Sequence, residues 1–180
     1  PKHPLVCLDE TTKQLLKETR VKVPAASGRP ERIDYEYERN GAGTLFMMLA
    51  PHLGWRRVEV TERKTRIDYA HMLRDLSDVH FVEAEKIILV QDNLNTHDPA
   101  SLYETFPPDE ARRLRERFEF HYTPKHGSWL NMAECELSVL GRQCLARRIP
   151  NMAALEREIR AWNTVRDRVA KAYQWQFTAA

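Results

Sequence analysis

Two short apolar runs each end in an aspartate, and this pairing limits the possible folds more than any other feature of the chain. The runs are Leu5-Val6-Cys7-Leu8-Asp9 and Ile87-Ile88-Leu89-Val90-Gln91-Asp92. Short runs that are apolar at consecutive positions read as strands buried on both faces. An acid at the carboxyl end of such a strand lies where open α/β sheets place their ligands. If the two strands are parallel neighbours, both acids emerge at one edge. A third acid, Glu134, stands near the start of a helical stretch, within Tyr122-Thr-Pro-Lys-His-Gly-Ser-Trp-Leu-Asn-Met-Ala-Glu134. At an effective dielectric of about 20, two like charges about 4 Å apart repel by roughly 4 kcal/mol. Three carboxylates gathered at one edge therefore call for a cation between them. The pattern points to a divalent-metal site and, with it, phosphoryl chemistry.

Each acid also has an ordinary reading. Asp9 and Asp92 both precede polar segments, and aspartate serves turns and caps. Asn131 can cap a helix, with Glu134 three residues later closing a capping box. On a helical wheel Leu130, Ala133, Leu137, Leu140 and Cys144 share one arc. Glu134 falls toward one side of that arc and Glu136 lies on the other flank. An acid facing partly inward needs a partner, which a cap or a cation would supply.

The rest of the chain alternates strand and helix signals. The first strand is expected over Pro4 to Asp9, followed by a loop-like segment. Ile33 to Glu38 alternates, and Asn40-Gly41 is a hairpin signal. Glu18 to Gly43 as a whole reads as mostly loop. Thr44 to Ala50 and the stretch around Val58 and Val60 are strand-like. Tyr69, Met72, Leu73, Leu76 and Val79 recur at helical spacing. Asp98-Pro99 opens a short helix through Phe106, and Asp109 to Phe118 is a charged helix. Phe118 to Tyr122 is a further strand. A long helix is expected from Trp129 to Arg148, and beyond Pro150 another carries the stripe Met152, Leu155, Ile159, Trp162 and Val165. This order predicts an α/β fold, a mixed sheet flanked by helices.

Bulk properties exclude little. The 180 residues suit one domain with a real core. Twenty-eight basic and 26 acidic residues leave a formal charge of +2, which permits nucleic acid without arguing for it. Cys7, Cys135 and Cys144 are odd in number and widely spaced, as in reduced cytosolic thiols. No stretch approaches the roughly 20 apolar residues of a membrane span, and no signal peptide is visible. The expected setting is cytoplasmic, with no membrane partner. The chain opens on Pro1, close to the first strand, and is expected to be a fragment lacking an N-terminal part.

His97 and His126 lie in polar loops beside the expected site, where solvated histidines are the ordinary case and a metal or phosphate role the alternative. Trp129 and Trp162 read as core anchors. Arg112-Arg113-Leu-Arg115 reads as a solvated helix face, because acids are interleaved with it. Arg147-Arg148 is the better candidate for gripping phosphate. Arg157, Arg160 and Arg166 are expected on an exposed face of the last helix.

Taken in order, Leu8-Asp9-Glu10-Thr11, Val90-Gln-Asp92-Asn-Leu-Asn-Thr-His97 and the Tyr122–Glu134 stretch resemble the catalytic core of bacterial insertion-sequence transposases of the mariner superfamily. Asp34-Tyr-Glu-Tyr-Glu-Arg-Asn-Gly41, Arg142-Gln-Cys-Leu145 and Trp175-Gln-Phe-Thr178 also resemble that family. The resemblance implies a ribonuclease-H-like mixed five-stranded sheet and an Asp-Asp-Glu triad. Asp9 matches the first acid, Asp92 the second and Glu134 the third, whereas Glu136 does not match. It further implies two Mg²⁺ or Mn²⁺ ions held by Asp9, Asp92 and Glu134, and DNA as partner, both transposon ends and target. A homodimer assembled on DNA is expected as well. The interval from Asp92 to Glu134 is longer than in the eukaryotic relatives, and the N-terminal helix-turn-helix modules of the family are absent from the sequence. Two other readings stay open: a nuclease that cleaves without strand transfer, and an inactive DNA-binding or assembly remnant.

Overall fold

A computed structural model describes residues 1–20, 23–30, 32 and 35–173, the side chain of Ser128 apart. Ile33, Asp34 and the Trp175–Thr178 motif lie outside the described residues. Five strands form one sheet: β1 Leu5–Glu18, β2 Tyr37–Ala50, β3 Trp55–Thr61, β4 Ile87–Gln91 and β5 Phe118–Tyr122. Their order is β3-β2-β1-β4-β5. β1, β2 and β3 run as an antiparallel meander, while β4 and β5 join parallel to β1. The helices are α1 Arg66–Asp75, α2 Ala100–Thr105, α3 Pro108–Glu116, α4 Met132–Leu140 and α5 Met152–Arg168.

The unbroken apolar runs have the cause anticipated for them: helices cover both faces of the sheet. On one face Val6, Leu8, Phe46, Met48, Ile87 and Leu89 pack with residues of α1, α2 and α3. On the other, Cys7, Leu45, Met47, Leu49 and Val58 pack with residues of α4 and α5. Burying one such large side chain contributes about 1.5–3 kcal/mol. α5 sits directly on β2, because a Cβ at Gly43 would come within 2.6 Å of Leu155 Cδ2. The last members of two expected stripes do not join the core, since Val79 and Val165 are exposed.

Three expectations about local structure are corrected. β1 continues through the segment that reads as loop, so Asp9 lies inside a 14-residue strand rather than at its end. The parallel partner stops at Cys7, but β2 pairs with β1 out to Glu18. This outer half has one sheet neighbour instead of two, which is why its sequence is polar. Asn40-Gly41 is not a hairpin turn. It lies within β2 where the register with β1 shifts between Gln14 and Leu16, and Gly41 takes φ 84°, a conformation that favours glycine in a bulge. The long helix expected from Trp129 to Arg148 is a single turn at Ser128–Leu130, then α4, then a wider π-type turn at Gly141–Leu145.

Candidate active site

The sheet register aligns the two aspartates. In the parallel ladder Leu5 pairs with Ile88 and Cys7 with Val90, so two residues further on Asp9 comes level with Asp92. Cys7 and Val90 belong to the face covered by α4 and α5. By strand alternation Asp9 projects to that same face, and Glu10 to the opposite one. Asp9 is held on its other side by the ladder with β2, opposite Met47. Asp92 lies one residue past β4 and has no ladder to hold it.

Glu134 is brought in by its helix. Asn131, almost fully buried, caps α4: its Oδ1 accepts from the Ala133 N–H at 3.2 Å. Its Nδ2 donates to the carbonyl of Leu8 at 2.8 Å, tying the first turn of α4 to β1 one residue before Asp9. The capping box expected here does not form. Among the described residues no protein donor bonds the Glu134 carboxylate, and the reciprocal box is found instead at Thr65 and Asp68, the start of α1. Asp9 and Glu134 line one open groove together with Glu10, Thr11, Leu137 and Ser138. Asp92 lines a second, with Asn93, Thr123, Lys125 and His126.

The charges of the three acids are felt in the titration of Asp9. Its carboxyl is pushed up to about 6, mainly by burial; the Glu10 N–H, bonded at 2.9 Å, works against this, and the charges of Glu10, Asp92 and Glu134 add to it. Asp92 has Oδ1 engaged by His97 Nδ1 at 2.5 Å and by the Leu94 N–H at 3.2 Å.

His97 corrects an expectation: it is not a solvated loop histidine but has a fully buried side chain. Its Nε2 lies 3.0 Å from Glu10 Oε2, within ion-pair distance but off the line of a good hydrogen bond. Burial alone would lower the proton affinity of this imidazole, but hydrogen bonding and charge from Glu10 and Asp92 raise it above its ordinary value. Lys64 Nζ lies 3.5 Å from Glu10. Glu10 is accordingly held below the usual carboxylate range: burial opposes this, and His97 and Lys64 override it. His126 stays exposed at the groove, with φ 63°.

Donor chemistry is the test of fit for a metal. Asp9, Asp92 and Glu134 offer only carboxylate oxygens, which suit a hard cation such as Mg²⁺ or Mn²⁺. Asp92 Oδ2 and the Glu134 carboxylate accept no protein hydrogen bond among the described residues. Among those residues no three His, Cys, Asp or Glu side chains are drawn close enough to close a coordination shell. The set therefore fits such a cation by its donor chemistry.

Several other residues have roles that differ from their sequence reading. Glu136 is buried and paired with Arg56 Nε at 3.5 Å and Arg166 Nη2 at 2.8 Å, and accepts from the Tyr173 hydroxyl. Arg166 is thus not on a free face. Trp162 is a core residue as expected, but Trp129 is 58% exposed. Arg147 pairs with Glu158 and Arg148 with Glu18, so both are engaged within the chain. Arg113 forms a two-pronged pair with Asp78 on the helix surface. The three cysteines are free thiols, Cys7 and Cys144 buried. Sequence reasoning passed over Glu10 and saw in Asn131 a cap but not its bond to β1; the available signal for Glu10 was an acid adjacent to Asp9, hence on the other face.

The strand order and the helices on both faces of the mixed five-stranded sheet define a ribonuclease-H-like fold. The chain belongs to the DDE superfamily endonuclease family, which it matches over residues 4–156. Among solved structures it is similar to a Mos1 strand transfer complex, with TM-score 0.59 and 14% identity, covering 91% of this chain and 48% of that one. A Mos1 mariner paired-end complex with Mn gives 0.57 and 15%, covering 92% and 49%. A Mos1 transposase paired-end complex with the left transposon end gives 0.60 and 15%, covering 91% and 48%. At such identities the likeness is one of fold, and the chain spans about half the length of these proteins. No curated protein matches it. No helix of the described residues is long and apolar enough to cross a membrane.

Proposed function

We propose that the chain is the catalytic core of a transposase of the bacterial insertion-sequence type. It would hydrolyse a phosphodiester at each transposon end and transfer the resulting 3′-hydroxyl into target DNA. The observation that supports this reading is the register that brings Asp9 level with Asp92, together with the Asn131 bond to the Leu8 carbonyl, which sets Glu134 in the groove that Asp9 lines. Asp9, Asp92 through Oδ2 and Glu134 are the residues that would hold two Mg²⁺ or Mn²⁺ ions. When bound, such ions supply Lewis acidity at the phosphate oxygens and a stronger nucleophile at neutral pH. Asp9, fixed in the ladder with β2, sets one side of the site; Glu134, on the Asn131-anchored turn, sets the other. The open grooves on either side leave room for a DNA strand to lie across the carboxylates. Hydrolysis and joining use the same groups, because only the nucleophile changes from water to a 3′-hydroxyl.

In this reading the chain is the catalytic part of a longer protein, with end recognition supplied elsewhere and a homodimer assembled on DNA. The support is its span of about half of the Mos1 chains, whose complexes contain paired ends. The test is nicking of a supercoiled plasmid in Mn²⁺, followed by joining of a pre-cut end. Asp92→Asn is expected to abolish both while leaving the circular dichroism spectrum unchanged. Undiminished nicking by that variant removes Asp92 from the mechanism, and nicking without joining reduces the activity to that of a nuclease.

A further inference from the structure

Asp9 and Asp92 are secured very differently. Asp9 sits within a strand, and its Oδ1 is bonded by the adjacent backbone N–H. Asp92 lies beyond the last ladder residue of β4, with its side chain 37% exposed. A carboxylate so placed has no strand to hold it, only the Leu94 N–H at 3.2 Å and one side chain, both on Oδ1. His97 is the side chain in contact, and everything around it fixes it in turn. Its N–H donates to the Leu94 carbonyl at 2.8 Å. Its own carbonyl accepts from Gln91 Nε2 at 2.9 Å, and Gln91 accepts from the buried Tyr69 hydroxyl at 2.7 Å. The imidazole ring lies 5.0 Å from the Tyr69 ring, centroid to centroid. Behind it, Nε2 meets Glu10 at 3.0 Å, and Glu10 projects to the face opposite Asp9. A buried ring with a carboxylate at each nitrogen cannot swing away without giving up both contacts at once.

We infer that His97 is a positioning residue: braced from behind by Glu10, it pins Oδ1 of Asp92 so that Oδ2 alone is presented to a cation shared with Asp9. This rests on the metal-site reading given under Proposed function. Outer-shell partners that orient a metal ligand typically change affinity by about 10- to 100-fold when removed.

The two nitrogens can be tested separately. In His97→Asn the side-chain amide stands near the position of Nδ1 and restores the bond to Asp92. In His97→Gln the amide stands near the position of Nε2 and restores only the contact with Glu10. Mn²⁺ binding to the full chain is measured by electron paramagnetic resonance of the free ion, with melting temperatures in EDTA as the record of folding. The Asn variant is expected to bind Mn²⁺ within about threefold of the parent, and the Gln and Ala variants about 10- to 100-fold more weakly. Asn and Gln variants that melt alike in EDTA and still differ in this way support positioning, since loss of packing alone would affect both. Equal Mn²⁺ affinities for the Asn and Gln variants, or parental affinity in His97→Ala, overturn it. If Asp92→Asn weakens binding and none of the His97 variants does, positioning fails while the metal site stands. A parent chain that binds no Mn²⁺ overturns both.

Discussion

Glu134 and Glu136 lie two positions apart on α4 and have opposite surroundings. Glu136 is 1% exposed and meets two arginines and a tyrosine hydroxyl drawn from β3, α5 and the segment after it. Its charge is balanced within the fold. Glu134 is exposed, bonds no protein donor among the described residues, and faces a groove that already holds Asp9. Nearby, His97 and Lys64 are committed to Glu10 and Asp92. One carboxylate cluster is neutralised by the chain's own cations; the other is left with surplus negative charge at an accessible edge. The first arrangement serves stability, and in the proposed function the second takes up a cation from solution.

The largest expected effect sets these two glutamates against each other. Glu134→Gln should abolish Mn²⁺-dependent nicking while changing stability by no more than about 0.5 kcal/mol, as exposed substitutions do. Glu136→Gln should do the reverse in kind, destabilising by about 3–5 kcal/mol because Arg56 and Arg166 lose their buried counter-charge. Denaturant unfolding in EDTA beside a nicking assay checks both. Equal loss of stability in the two variants would erase the contrast.

A smaller effect concerns Asp9. Its folded carboxyl titrates near 6 against an ordinary value of 3.8, so between these values the folded state binds the extra proton. Stability without metal therefore falls as pH rises from about 4 to about 6, by at most about 3 kcal/mol from this group. Asp9→Asn should remove that slope and stabilise the metal-free chain at pH 7. Millimolar Mn²⁺ should stabilise the parent at pH 7 and not the variant. Parallel pH profiles for parent and variant in EDTA would contradict the shift. The smallest effect is at the anchor that sets Glu134: Asn131→Ala should cost about 1–2 kcal/mol as a lost cap, measured by thermal unfolding.

The same contrast explains what could be read from sequence. Apolar runs buried on both faces carry a strong local signal, so β4, the core of β1 and the sheet's mixed character were legible. The outer half of β1 was not, because pairing on one side only leaves a polar pattern indistinguishable from loop. Asn40-Gly41 signals a left-handed backbone, which a bulge and a hairpin turn both use, and only the pairing of β2 with β1 separates them. Strand context singled out Asp9 and Asp92, and resemblance joined Glu134 to them as the triad now proposed. The partners of Glu10 and Glu136 come from distant segments, and no local pattern encodes which charges will meet. The capping-box spacing at Asn131 was real as a pattern, but the cap's amide bonds β1 and leaves Glu134 to the groove.

The central claim is that Asp9, Asp92 and Glu134 form an unneutralised set that divalent cations complete. Soaking crystals of the chain in Mn²⁺ and recording anomalous diffraction tests it directly. The account predicts anomalous density between Asp9 and Asp92, with Glu134 turned toward it and Glu136 still paired to Arg56 and Arg166. Mn²⁺ bound only elsewhere, with the three carboxylates unmoved and the edge empty, would contradict it.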